Sequence, residues 1–177
     1  GRAFAASRTA HRGVVAGLQG DHARAAALFD AAHALDSLEP DIRYLRAVAR
    51  ARIGRVAEAV TDLEAALPGL PIPRGYQMLA DLQQRRGDPR AAEAAFVRGL
   101  ALFPGHSPLA VDYLTFLARR ERYAEALRLA DGLLQVDPSS ADGHHLRAHL
   151  LARTGREVEA AASLRRFLES APSGDPR

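Results

Sequence analysis

The sequence predicts an all-α solenoid of about ten helices, arranged as five helix-turn-helix units. The first reason is a short pattern that returns about every 34 residues, aligned on one turn position: Gly20, Gly54, Gly87, Glu121 and Gly155. The second is that every copy carries alanine five residues later, at Ala25, Ala59, Ala92, Ala126 and Ala160. The third is a composition rich in Ala, Leu, Arg and Glu, which favours helices. A fixed period of this kind is typical of stacked supersecondary units.

The 177 residues therefore read as one solenoid domain spanning 1–177. Its five repeats cover residues 6–39, 40–72, 73–106, 107–140 and 141–174, and leave a short tail at 175–177. No segment has the composition of an interdomain linker. We expect residues 173–177 to be disordered, because chain ends that nothing holds in place usually are.

Each unit shows the order helix, tight turn, helix, turn. In the third unit, Pro73 opens the first helix, and Gly87-Asp88-Pro89 separates it from the second. Proline also opens the second and fourth units, at Pro40 and Pro108. The first unit is the poorest copy, because its first helix, Ala6 to Leu18, contains two glycines. Each glycine costs up to ~1 kcal/mol relative to alanine, so we expect the beginning of this helix to fray.

Composition excludes several classes of function. There is no cysteine, and hence no disulfide framework and no thiolate metal site. No apolar run reaches the length of a membrane span, and no signal-peptide pattern opens the chain. All 24 basic residues are arginine and the net charge is only +3. GC-rich, bacterial-like coding accounts for this arginine usage, with selection for carboxylate or phosphate recognition as the alternative. A charge this small does not favour nucleic acid.

The last repeat has no polar capping helix after it in this sequence. Ala161, Leu164 and Leu168 would then form an uncovered apolar edge. Solenoids usually cap such an edge, so either further protein follows or the edge meets a partner. End-to-end self-association through this repeat is one such arrangement.

The repeat resembles the tetratricopeptide repeat family. Its pattern of a large residue, Leu, a small residue and a second large residue is approximated by Tyr76, Leu79, Ala80 and Gln83. The Ala and Phe that follow are matched by two pairs, Ala25 with Phe29 and Ala92 with Phe96, and the closing proline by Pro71, Pro104, Pro138 and Pro172. Three positions depart from the pattern: Glu121 at a turn, Ala130 in place of Phe, and Ser37 in place of the first closing proline.

The resemblance implies a right-handed superhelix whose first helices line a concave groove for partner proteins or extended peptides. The stacked architecture favours a binding surface over a catalytic pocket. Counting back from the turn position gives the groove residues that we expect to contact a peptide or partner. These are Tyr44, Val48, Arg52, Arg74, Gln77, Asp81, Arg85, Val111, Thr115, Arg119, His145, His149 and Arg153.

Arginine ends the first helix in four consecutive units, at Arg52, Arg85, Arg119 and Arg153. One interpretation is a ladder for acidic peptides, since each guanidinium can bind a carboxylate through two hydrogen bonds. The other is helix capping, because a cation near the C-terminus offsets the exposed carbonyl groups. His145 and His149 lie one turn apart and could share a metal, contact a peptide or simply face solvent.

The leading hypothesis is therefore a non-catalytic interaction scaffold that binds a peptide or partner protein in its groove, and the arginine ladder would suit an acidic one. The alternative is a regulatory or substrate-docking arm of a larger enzyme, such as a transferase. No phosphate loop, nucleophile motif or zinc spacing supports catalysis, and we expect no metal, cofactor or nucleic acid. Localisation stays open, with the cytoplasm slightly favoured over a periplasmic location reached through a removed signal peptide.

Overall fold

A computed structural model describes residues 1–170 of the chain. Within these residues there are ten α-helices and no strand. The helices are α1 (Arg2–Leu18), α2 (His22–Leu35), α3 (Pro40–Arg52), α4 (Val56–Ala66), α5 (Pro73–Arg85), α6 (Pro89–Leu102), α7 (Ser107–Arg119), α8 (Tyr123–Val136), α9 (Ala141–Arg153) and α10 (Glu157–Ser170). The odd-numbered helices are the first helices of the five repeats, and the even-numbered helices are the second.

Every first helix ends in the same reverse turn. The turn residue adopts a left-handed conformation in all five copies, with φ of 82°, 81°, 76°, 58° and 75° at Gly20, Gly54, Gly87, Glu121 and Gly155. The backbone N–H of the next residue donates to the carbonyl five residues before it, at 2.9 to 3.1 Å. This is the Schellman arrangement, which satisfies a carbonyl that the helix end would otherwise leave open. The turn residue therefore recurs because the backbone needs a left-handed conformation at this position of every repeat.

The residue after the turn begins the next helix. Asp21 and Asp88 each follow a turn glycine, and each side chain accepts a hydrogen bond from a backbone N–H three residues later, at 3.0 and 2.9 Å. Such N-caps satisfy donors that the first helical turn leaves without partners. One Gly-Asp pair thus ends a helix and starts another.

The alanine of every repeat is buried where the two helices meet. The exposed fractions are at most 5%, at Ala25, Ala59, Ala92, Ala126 and Ala160. A small side chain lets two helix backbones approach closely. Gly13 does the same within α1, since a Cβ added there would lie 2.9 Å from the Phe29 ring. Packing against Phe29 therefore requires glycine at position 13, although glycine is unfavourable in the interior of a helix.

The first helix begins earlier than the sequence predicts. α1 starts at Arg2, four residues before Ala6. Ala6 and Ala10 belong to a buried cluster with Phe29 and Ile42, and this packing supports the helix despite its two glycines. A smaller difference is that α7 starts at Ser107, one residue before Pro108. The expectations for Pro172 and residues 173–177 lie outside the described residues.

The chain consists of two compact units, Gly1–Arg98 and Gly99–Arg177. The first contains α1 to α5 and most of α6, and its core is built around alanine, Phe29 and Leu63. In the second, Leu114, Phe116 and Leu151 are fully buried among α7, α8 and α9. That residues 1–177 form a single solenoid domain stays a prediction.

Candidate functional site

All thirteen residues predicted to line a groove lie on first helices. α3 carries Tyr44, Val48 and Arg52, and the others lie on α5, α7 and α9. None of the thirteen side chains is buried, and each is exposed or half-buried. The period of the repeat therefore selects accessible positions on one set of helices.

Four of these residues surround one depression in the second unit. Thr115 and Arg119 come from α7, and His149 and Arg153 come from α9. The volume is about 360 Å³, and Ala118, Tyr123 and Leu146 complete the lining. Two guanidinium groups and one imidazole thus share a concave surface that also includes apolar side chains.

The charge of this depression is cationic. The described lining contains no acidic side chain, and Arg119 and Arg153 are both exposed. Arg153 donates a hydrogen bond to the Tyr123 hydroxyl at 3.3 Å. This hydrogen bond raises the pKa of Arg153 above its usual value, although an arginine is charged at physiological pH without it. An anionic group on a ligand would find complementary charge here.

The first unit has a second depression with a more apolar lining. It measures about 270 Å³ and lies among α1, α2 and α3. Val14, Leu18, Phe29 and Val48 supply apolar surface, and Arg52 lies beside them. The two glycines of α1, Gly13 and Gly17, also line it. The described lining again contains no acid.

The remaining predicted residues line neither depression. They are Tyr44, Arg74, Gln77, Asp81, Arg85, Val111 and His145. Arg85 lies 3.9 Å from the Asp81 carboxylate one turn earlier, an exposed pair that contributes little. His145 packs its ring on Phe167 of α10, with the ring centroids 5.2 Å apart. The two histidines that the sequence grouped together thus have different neighbours.

Sequence reasoning missed an ion-pair cluster in the first unit. Asp62 of α4 is only 3% exposed and accepts hydrogen bonds from Arg46 at 2.9 Å and Arg50 at 2.8 Å. Arg50 also donates to Asp30 of α2 at 2.7 Å. Burial and the charge of Arg46 lower the pKa of the nearby His33. The cluster joins α2, α3 and α4.

The same arrangement returns in the second unit. Arg147 occupies the repeat position of Arg46, eight residues before the turn residue. It donates to Asp131 of α8 and to Ser163 of α10, both at 2.7 Å. Asp131 occupies the repeat position of Asp30, so an arginine of one first helix again contacts an acid on the preceding second helix. Aligning the charged residues by repeat position would have revealed this pair.

Models of the tetratricopeptide repeat match residues 12–71 and 83–150. The two matches together span more than half of the chain. The chain belongs to the tetratricopeptide repeat family. Proteins of this family are generally scaffolds without catalytic activity, and their fold is suited to binding other proteins or peptides. No curated protein matches this tetratricopeptide repeat chain significantly.

Solved structures of other tetratricopeptide repeat proteins share the fold. YrrB, described as having an unusual peptide-binding site, aligns with a TM-score of 0.72 at 20% identity, covering 94% of this chain and 86% of YrrB. A MamA structure aligns with a TM-score of 0.80 at 14% identity, covering 93% and 91%. MamA from residue 41 onward of Desulfovibrio magneticus RS-1 gives 0.78 at 15%, covering 96% and 97%. The predicted all-α solenoid class is confirmed.

Residues 1–170 contain neither a metal-binding cluster nor a membrane-spanning helix. Among residues 1–170, no three His, Cys, Asp or Glu side chains converge as a metal site would need. None of the helices in that part of the chain is both long and apolar enough to span a bilayer.

Proposed function

We propose that this tetratricopeptide repeat chain is a scaffold that binds an acidic, extended peptide segment of a partner protein on its first-helix face. The single observation that carries the proposal is the depression of the second unit. There Arg119, Arg153 and His149 converge with no acid in the described lining.

The arginine positions alone do not decide between capping and binding. Each lies in the last turn of its helix, where a cation offsets exposed carbonyl groups in either case. A capping role needs only one cation at one helix end. The convergence of Arg119 and Arg153 from two helices on one concave surface favours binding, because a carboxylate placed there could contact both.

The apolar surface beside the cations indicates the rest of the ligand. Leu146 and Ala118 line the depression of the second unit. A peptide in which acidic and apolar residues alternate would place its two kinds of side chain on opposite sides of an extended backbone. The acidic side chains of the peptide would then contact the guanidinium groups, and its apolar side chains would contact the apolar residues of the depression.

The test uses a labelled peptide of alternating Glu and Leu residues and the double variant Arg119→Ala/Arg153→Ala. Loss of two charge-assisted contacts, at about 1 kcal/mol each where exposed, should weaken binding by about tenfold or more in fluorescence anisotropy. The matched control is Arg90→Ala/Arg128→Ala, which removes the same charge from second helices α6 and α8. Equal weakening by both double variants would show that only net charge matters, and would contradict the proposal.

A further inference from the structure

The outer face of α10 presents apolar side chains that its equivalents in earlier repeats bury. This α10 face consists of Ala161, Leu164, Arg165 and Leu168, and all four are exposed. Leu164 is 45% exposed and Leu168 is 71% exposed. The residues at the repeat position of Leu164 in α2, α4 and α8 are at most 3% exposed: Phe29, Leu63 and Ala130.

In those earlier repeats the cover is a helix. α3 packs on α2, α5 packs on α4, and α9 packs on α8. In two of these pairs, α4–α5 and α8–α9, a leucine in or just after the second helix lies opposite a glycine of the covering helix, whereas the α2–α3 pair has His33 and Ile42 at these positions. A Cβ added to Gly75 would lie 2.5 Å from Leu67, and one added to Gly143 would lie 3.0 Å from Leu134. Leu168 occupies the repeat position of Leu67 and Leu134. A helix that covers α10 in the way that α5 covers α4 and α9 covers α8 would therefore place a small residue opposite it.

The charge at this face is the reverse of the charge in the earlier repeats. One residue after the position of Leu164, α2 and α8 carry Asp30 and Asp131, and each accepts from an arginine of the covering helix. α10 carries Arg165 at that position, and Arg165 is exposed. A covering helix with an arginine there would meet a like charge, whereas an acid would complete an ion pair of reversed sign.

We propose that the α10 face binds an amphipathic helix of a partner protein that carries a small residue, an acid four residues later and an apolar residue three residues after the acid. The small residue lies over Leu168, the acid pairs with Arg165, and the apolar residue covers Leu164. The spacing is that of Gly143, Arg147 and Leu150 in α9, with the charge reversed. This surface is separate from the depressions on the first helices.

A second copy of the chain is a poor occupant of this face. Head-to-tail stacking would bring α1 of one copy against α10 of another. α1 has Arg8 where α5 and α9 have glycine, and Arg12 where the proposed helix has an acid. Both the bulk of Arg8 opposite Leu168 and the repulsion between Arg12 and Arg165 oppose the contact. Self-association through this end is therefore disfavoured relative to an acid-bearing helix.

The test uses two peptides with the sequence of residues 141–154, each held helical by a hydrocarbon staple on its solvent side. One carries Arg147→Glu and the other keeps the native arginine. The full chain should bind the Arg147→Glu peptide about tenfold more tightly, which is the effect of exchanging a like-charge contact for an ion pair. High salt should reduce this preference. Binding by displacement of α9 would show the opposite preference, because Asp131 faces arginine there.

Two variants of the full chain locate the contact. Arg165→Glu should reverse the preference between the two peptides, and Leu168→Asp should weaken both, while circular dichroism and melting temperature stay unchanged because both side chains are exposed. Equal affinity for the two peptides, or binding of neither, would overturn the proposal. So would self-association of the wild-type chain in sedimentation equilibrium that Leu168→Asp abolishes, since a second copy would then be the occupant.

Discussion

Glu121 offers a direct test of the shared turn, because it is the non-glycine residue at a position that requires a left-handed backbone. Its φ is 58°, and Arg122 N–H donates to Leu117 C=O at 3.1 Å as in the glycine turns. A residue with a Cβ loses about 1–2 kcal/mol in this conformation. Glycine removes that cost but gives the unfolded chain more freedom, worth about 0.4–1 kcal/mol. Glu121→Gly should therefore raise the free energy of unfolding by about 0.5–1 kcal/mol.

The reverse substitution has no steric complication. A Cβ added at Gly155 meets no atom within 4 Å, so Gly155→Ala should lower the free energy of unfolding by a similar amount through backbone strain alone. Glu121→Ala is the control, because it removes the carboxylate and keeps the strain. Urea denaturation followed by far-ultraviolet circular dichroism gives all three values. The reasoning is refuted if Glu121→Ala stabilises as much as Glu121→Gly, or if Gly155→Ala has no effect.

Four further substitutions test the helix packing and the ion-pair cluster by thermal denaturation. Ala92→Leu should lower stability by ~1–3 kcal/mol, since it overpacks a fully buried helix contact; an unchanged melting temperature would contradict this. Gly13→Ala should destabilise, because its Cβ would lie 2.9 Å from Phe29, whereas Gly17→Ala has room and should stabilise by up to ~1 kcal/mol; equal effects would argue against the close approach. Asp62→Ala should cost about 3–5 kcal/mol, because it leaves two largely buried guanidinium groups without their shared carboxylate, and a loss below about 1 kcal/mol would argue against that pairing.

The repeat boundaries could be predicted from the sequence because they depend on local requirements. A left-handed turn selects glycine, and a close helix contact selects alanine, so both recur at a fixed period whatever surrounds them. The same regularity identified accessible positions on the first helices. The departure at Glu121 did not break the turn, since the surrounding helices impose the same backbone conformation there.

Features that depend on packing between particular side chains could not be predicted in this way. The sequence grouped His145 with His149, but the aromatic contact of His145 depends on Phe167, which lies on another helix. From the sequence alone, Gly13 is only an unfavourable residue for a helix, whereas in the structure the contact with the Phe29 ring requires a glycine there. The hydroxyl of Tyr123, which orients Arg153, also falls outside the repeat pattern.

The most direct test of the account is an amide chemical-shift map of the full chain titrated with the peptide of alternating Glu and Leu residues. Binding on the first-helix face predicts shifts that cluster on α7 and α9 around Thr115, Arg119, His149 and Arg153 and that disappear in Arg119→Ala/Arg153→Ala. Shifts confined to second helices α8 and α10, with the first helices unaffected, would contradict it.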